Sequence, residues 1–191
     1  MALTMTNLDK LEILITSGPI AVGKSSIVNA LISNFGYKKI SSGEYLSQLA
    51  TKTNLEPVRD NLIKLGDELD KTTDYSWVVD QVSNLALTKE PQHRRWVFDS
   101  VRKHKQVDHF RKRYSTFLTH VHFTARETIL EQRYNSRLNS GSTKDVSTYH
   151  HYIEHPNEKE ARSLSTIADV IIDTSDTPAT DLAYDLYRSL L

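Results

Sequence analysis

Cysteine is absent from all 191 residues, which removes disulfides, thiolate nucleophiles and cysteine-rich zinc sites from consideration. Glycine and proline are sparse, six and five, and no Pro/Gly-rich linker, low-complexity tract or internal repeat interrupts the chain. An excess of one charge is missing too. Twenty-four lysines plus arginines balance 24 aspartates plus glutamates, so no global field draws in nucleic acid or an acidic membrane. No apolar run approaches the ~20 residues that span a bilayer. The opening MALTMTNLDKLEILIT lacks the basic start and long apolar stretch of a leader peptide. The expectation is a single cytoplasmic domain over 1–191, large enough to bury its own core.

What is present is an alternation of two periodicities. Leu11–Thr16 (LEILIT) is short, apolar and β-branched, which predicts a strand buried on both faces. Ile27, Val28, Leu31 and Phe35 then recur at helical spacing, closed by Gly36. Further strands are expected at Tyr37–Ile40, Arg95–Phe98, Phe117–Phe123 and Val170–Asp173. Helical stripes lie between and after them, at Val58 to Leu69, Val78 to Leu85, His104 to Arg113, Ile129 to Leu138, near Asn157–Thr166, and at Leu182 to Leu190. Asn139–Thr148 is polar and reads as a loop. Strands alternating with helices predict an α/β, three-layer α-β-α fold with a mainly five-stranded parallel sheet. Right-handed crossovers place all strand ends on one edge, so Gly18, Ser42 and Asp99 should face a common cleft.

The stretch Gly18–Ser25, GPIAVGKS, satisfies the phosphate-loop pattern with a strand before it and a helix after it. The chemistry requires that arrangement. Small residues let the backbone curl until successive N–H groups point at phosphate oxygens, and the new helix adds its unpaired N–H groups and positive dipole end. Gly18, Ala21, Val22, Gly23, Lys24, Ser25 and Ser26 are therefore the candidates for holding ATP. Lys24 would charge-balance the β- and γ-phosphates, and Ser25 would ligate Mg²⁺. Asp99, ending the apolar strand RWVF, is the second candidate for the metal and for catalysis. Its bland reading is a turn aspartate. No Asn-Lys-x-Asp guanine-reading tetrapeptide occurs.

Five segments beyond the loop resemble the nucleoside monophosphate kinase superfamily of P-loop NTPases, nearest the branch of dephospho-coenzyme A kinase and related nucleotide kinases. ISSGEYL (Ile40–Leu46) looks like the serine-rich turn entering the acceptor site, and RDNLIKLG (Arg59–Gly66) like the helix that presents an arginine to the acceptor. VFDSVRK (Val97–Lys103) resembles an Asp-Gly-x-Arg turn, RYNSR (Arg133–Arg137) a pair of lid arginines, and ADVIIDT (Ala168–Thr174) the last strand. Ala21 and Ser100 stand where the family often has glycine. The resemblance implies acceptor-binding helices over about 43–90 and a helical lid over about 126–160. It makes Ser42, Glu44, Arg59 and Arg102 acceptor ligands, and Arg133 and Arg137 catalytic arginines.

The reaction so implied is transfer of the γ-phosphoryl group of ATP·Mg²⁺ to a nucleotide or nucleotide-like phosphorylated acceptor. A phosphate acceptor needs cations rather than a base, and arginine's planar fork suits it. A hydroxyl acceptor (nucleoside, dephospho-coenzyme A or polynucleotide 5′ end) would instead need Asp99 or Glu44 to take its proton. A silent nucleotide-binding module is a third reading. Each arginine also has the ordinary alternative of a solvated helix face, and Glu44 that of a first-turn acid.

Other patterns are set aside. His151-Tyr152-Ile153-Glu154-His155 matches an inverted zinc-peptidase helix, but Pro156 follows at once and no third ligand stands out. The basic run Arg102–Arg113 would suit a nucleic-acid backbone, yet zero net charge favours a solvated face beside the acceptor site. Tyr149 and Tyr152 are read either as stacking on a base or as surface packing.

Overall fold

Strand β1, Glu12–Ser17, sends Ile13 and Ile15 to one face of the sheet and Leu14 to the other, and all three are fully buried. Because side chains alternate across a strand, this one segment seeds two cores. A computed structural model describes residues 11–141 and 147–191. The first ten residues of the opening stretch, and part of the loop expected over Asn139–Thr148, lie outside the described residues.

The remaining strands are β2 (Lys38–Ser41), β3 (Arg95–Asp99), β4 (Leu118–Thr124) and β5 (Val170–Asp173), in the order β2-β3-β1-β4-β5. Every pairing is parallel. The fold is α/β, with a five-stranded parallel sheet in the order 2-3-1-4-5. The helices are α1 (Lys24–Phe35), α2 (Ser42–Lys52), α3 (Arg59–Thr72), α4 (Asn84–Lys89), α5 (His104–Tyr114), α6 (Glu127–Asn139), α7 (Tyr149–Ile153), α8 (Pro156–Ser163) and α9 (Ala179–Ser189). Leu14, Val97, Val121 and Phe123 pack with Val28 and Leu31 of α1 and Leu182 and Leu186 of α9. Ile13, Ile15, Trp96 and Phe98 pack on the opposite face with Leu46 of α2 and Val107 and Phe110 of α5.

Two local expectations need correction. The stripe Val78–Leu85 is a π-helical stretch, Val78–Ser83, running into the short α4. The wider turn carries Val78, Val79 and Val82 into the core. Tyr149 and Tyr152 are not surface packing: they are 2% and 3% exposed and cluster with the buried Tyr134. Among the described residues no helix is long and apolar enough to cross a membrane.

Candidate active site

Since β1 lies between β3 and β4, its exit is the point from which the chain connections diverge to either side, where ligands of open α/β sheets bind. Gly18 leaves the strand at φ +135°, and a Cβ there would stand 2.3 Å from the Phe123 carbonyl oxygen, so only glycine lets β1 and β4 approach this closely. Ala21 and Gly23 take left-handed φ of 64° and 94°, curling the loop before α1 begins. Gly23 caps α1 without any side-chain acceptor. Within the described residues, the amides of Ala21, Gly23, Lys24 and Ser25 have no hydrogen-bond acceptor. Unsatisfied donors beside a helix N-terminus suit an anion, and these residues fit the phosphates of a nucleotide.

Lys24 turns inward, donating to the carbonyls of Gly18 (2.7 Å) and Pro19 (3.1 Å). Burial lowers its pKa to about 8, helped by Arg102 and Arg59 and opposed by Asp99 and Glu158. An arriving phosphate would restore the charge that burial disfavours. Beneath the loop, Ser17 Oγ lies 2.7 Å from His120 Nε2 and 2.9 Å from His122 Nδ1. Burial holds both imidazoles down to about 4. The one hydroxyl hydrogen serves one ring, so the other ring must donate, and the trio is a neutral floor for the loop.

Above the loop opens a cavity of about 950 Å³, near the upper limit for one drug-sized ligand. Its wall brings together Lys24, Ser25, Ser26, Ser42, Asp99, Arg59, Arg102, Arg133 and Arg137. Register places Asp99 directly beside Thr16, two residues before the loop. Ser25 and Asp99 are oxygen donors of the kind Mg²⁺ takes, and the two strand exits that carry them adjoin. Glu44 is not brought in. It is exposed outside the wall and accepts from Lys39 at 3.1 Å, while its own N–H is capped by Ser41.

The arginines divide by environment. Arg133 donates to Thr174 Oγ1 (3.0 Å), Thr174 O (2.6 Å) and Val22 O (3.3 Å), while Thr174 itself donates to Val22 O at 2.6 Å. This guanidinium braces the outside of the phosphate loop against the exit of β5. Arg137, one turn along α6, is exposed at the cavity rim. Arg59 lies over the Tyr152 ring at 4.7 Å, and Arg102 Nη1 stands 3.9 Å from Glu158 Oε2.

Glu158 was invisible to sequence reasoning. The sequence marks only a helix near Asn157–Thr166, yet Glu158 is 4% exposed and accepts from the Ile20 N–H of the phosphate loop at 2.7 Å. Asn157 bridges Lys103 (2.5 Å) and Asp67 (2.9 Å), so α8 is stitched to the loop, to α3 and to the start of α5. The His-x-x-Glu-His pattern is split, because α7 ends at Ile153 and His155 caps α8. No group of three or more metal-ligating His, Cys, Asp or Glu side chains forms among the described residues.

Comparison with known proteins agrees with this geometry. The family model described as "AAA domain" (AAA_17) matches residues 17–150, most of the chain. The chain belongs to that family. Within the AAA_17 family the matched segment begins one residue before Gly18 and extends through the arginines of α6. No curated protein matches the chain. Among solved structures, shikimate kinase from Acinetobacter baumannii in complex with shikimate superposes with TM-score 0.60 at 16% identity, over 96% of this chain and 94% of that one. Shikimate kinase from Aquifex aeolicus vf5 gives 0.58 at 14% identity, over 93% and 95%. A sugar kinase from Janibacter sp. HTCC2649 gives 0.50 at 13% identity, over 94% of each chain. At these identities the likeness is one of fold.

Proposed function

We propose that this AAA_17 domain is a small-molecule kinase transferring the γ-phosphoryl group of ATP to an anionic acceptor, a nucleotide or nucleotide-like phosphate. One observation carries the reading. The four unsatisfied amides and Lys24 share a single cavity with Arg59 and Arg102, a set of donors and cations suited to more than one anionic group. A polyphosphate held by the loop meets an acceptor held by the arginines, and charge repulsion between them is what the site has to offset. Arginine suits the acceptor phosphate because its fork donates two parallel bonds. Ser25 and Asp99 would hold Mg²⁺, which would supply neutralisation of the phosphate charge. Lys24 orients and charge-balances the donor, Glu158 fixes the loop from behind, and Arg133 holds the loop against β5. The helices over about 43–90 would receive the acceptor, and the segment over about 126–160 would act as the lid.

A hydroxyl acceptor is the second reading. The presence of Asp99 on the cavity wall, partly buried and 3.9 Å from Lys39 Nζ, favours it by providing a base within the site. A coupled assay for ADP formation decides the matter when run across nucleoside monophosphates, deoxynucleotides, nucleosides, dephospho-coenzyme A, shikimate and 5′-hydroxyl oligonucleotides. Turnover should require a phosphorylated acceptor and fall at least 100-fold in Lys24→Ala. ADP formation unchanged in that variant removes the loop from the mechanism. Tight ATP binding with no acceptor-dependent turnover identifies a silent binding module instead.

A further inference from the structure

The face of α3 turned to the cavity is graded along its length. Arg59, Leu62, Ile63, Gly66, Asp67 and Asp70 all line it, at the i, i+3, i+4 spacing of a single helix face. A cation therefore stands at one end and carboxylates at the other, about three turns or ~16 Å along the axis, with apolar side chains between. Leu46, Trp77 and Val78 face the same stretch of cavity.

Asp70 is the unusual member. It is 5% exposed, yet it lines the cavity. Its Oδ1 accepts from Trp77 Nε1 at 2.7 Å and from Gln106 Nε2 at 3.0 Å. Gln106 cannot be turned the other way, because its Oε1 accepts the Arg102 N–H at 2.9 Å. Both protein neighbours of Asp70 thus present donors, and Oδ2 has no hydrogen bond among the described residues. Asp70 is largely enclosed yet lines the cavity, so its Oδ2 is open to a ligand N–H from that side. Burial raises the pKa of this carboxyl, while the Trp77 and Gln106 bonds and the nearby Lys103 charge oppose the rise.

We propose that the acceptor is an anion built on a flat ring with an exocyclic amine at the end opposite its phosphate. Asp70 reads that amine while Arg59 and Arg102 hold the phosphate. The inference rests on the kinase reading of this cavity and names the acceptor class for it. A flat ring suits the apolar part of the wall, formed by Leu46, Leu62, Ile63 and Trp77. Gln106 joins the Asp70 carboxylate to the Arg102 backbone, its Nε2 donating to the first and its Oε1 accepting from the second. Asp70 is thus a specificity residue, placed on the acceptor and away from the transferring phosphate.

The test is calorimetric binding of two nucleotide pairs that each exchange an amine for a carbonyl at one ring position: cytidine against uridine 5′-monophosphate, and adenosine against inosine 5′-monophosphate. Wild-type protein should bind the amine member of at least one pair tenfold or more tightly than its partner. Asp70→Asn keeps an oxygen for Trp77 and Gln106 but turns a donor toward the ligand. It should weaken the preferred amine member at least tenfold and abolish or reverse the preference. Retained ATP binding verifies that the variant is folded. Affinities within twofold in both wild-type pairs, or a preference untouched by Asp70→Asn, overturn the proposal, as does tighter binding of shikimate than of any nucleotide. Binding preference without ADP formation overturns the kinase reading and leaves the amine-reading pocket standing, so the two failures are separate.

Discussion

Lys24 illustrates how far one side chain is set by its surroundings. Its ammonium lies among two backbone carbonyls, two arginines and two carboxylates, and burial outweighs the rest, bringing its pKa to about 8 from 10.5. Below pH 8 the lysine of the free protein is charged; above it the proton is lost. Bound phosphates favour the charged form, so they raise this pKa, and between the free and bound values nucleotide binding takes up a proton. ATP affinity should therefore be flat below pH 8 and fall above it, by up to about tenfold per pH unit. Calorimetry at pH 9 in buffers of different ionisation enthalpy measures the uptake directly. A binding heat independent of the buffer would contradict this account of the loop.

At the scale of elements, β4 does more than extend the sheet. Its backbone at Phe123 forces glycine at position 18, and its side chains His120 and His122 share Ser17 beneath the phosphate loop. Both imidazoles are held neutral, with pKa near 4 against 6.5 in the unfolded chain. Between those values the unfolded state binds more protons, so stability is intact above pH 6.5 and falls as pH drops toward 4. Urea unfolding should show a lower midpoint at pH 5 than at pH 7.5. Equal midpoints would mean that the histidines are charged or solvated when folded. α8 plays a comparable part on the other side, with Glu158 on the Ile20 amide and Asn157 between Lys103 and Asp67. It joins the end of the expected lid segment to the phosphate loop, so a movement of that segment would be felt at Ile20.

The molecule as a whole is a sheet with a core on each face and one large cavity across its carboxyl edge. Ligand and fold are linked there, because the loop amides converge only in the folded chain. ATP·Mg²⁺ at 100 times its dissociation constant should add about 2.7 kcal/mol of stability, which for a domain of this length raises the melting temperature by roughly 5–10 °C. Differential scanning calorimetry or fluorimetry reads this shift, and Lys24→Ala should lose most of it. An equal shift in the variant would place the nucleotide elsewhere. The acceptor should add a further, separate increment.

Local pattern alone made much of this architecture legible. The strand, loop and helix over 11–36 follow from β-branched runs, three punctuating glycines and a helical stripe, all properties of neighbouring residues. The parallel sheet followed from alternation and handedness, and its order was then found as 2-3-1-4-5. Charge by itself misled at particular positions. Glu44 and Glu158 are both acids in helix first turns, yet one is exposed on Lys39 and the other is buried on the phosphate loop. Asp70 likewise looks like any polar residue of α3 until Trp77 and Gln106 close over it. Sequence determined which segments form strands and helices and where an anion-binding turn lies, because those depend on backbone preference over a few residues. Only the tertiary structure decided which charges are desolvated and what they face, since burial is set by elements distant in the chain.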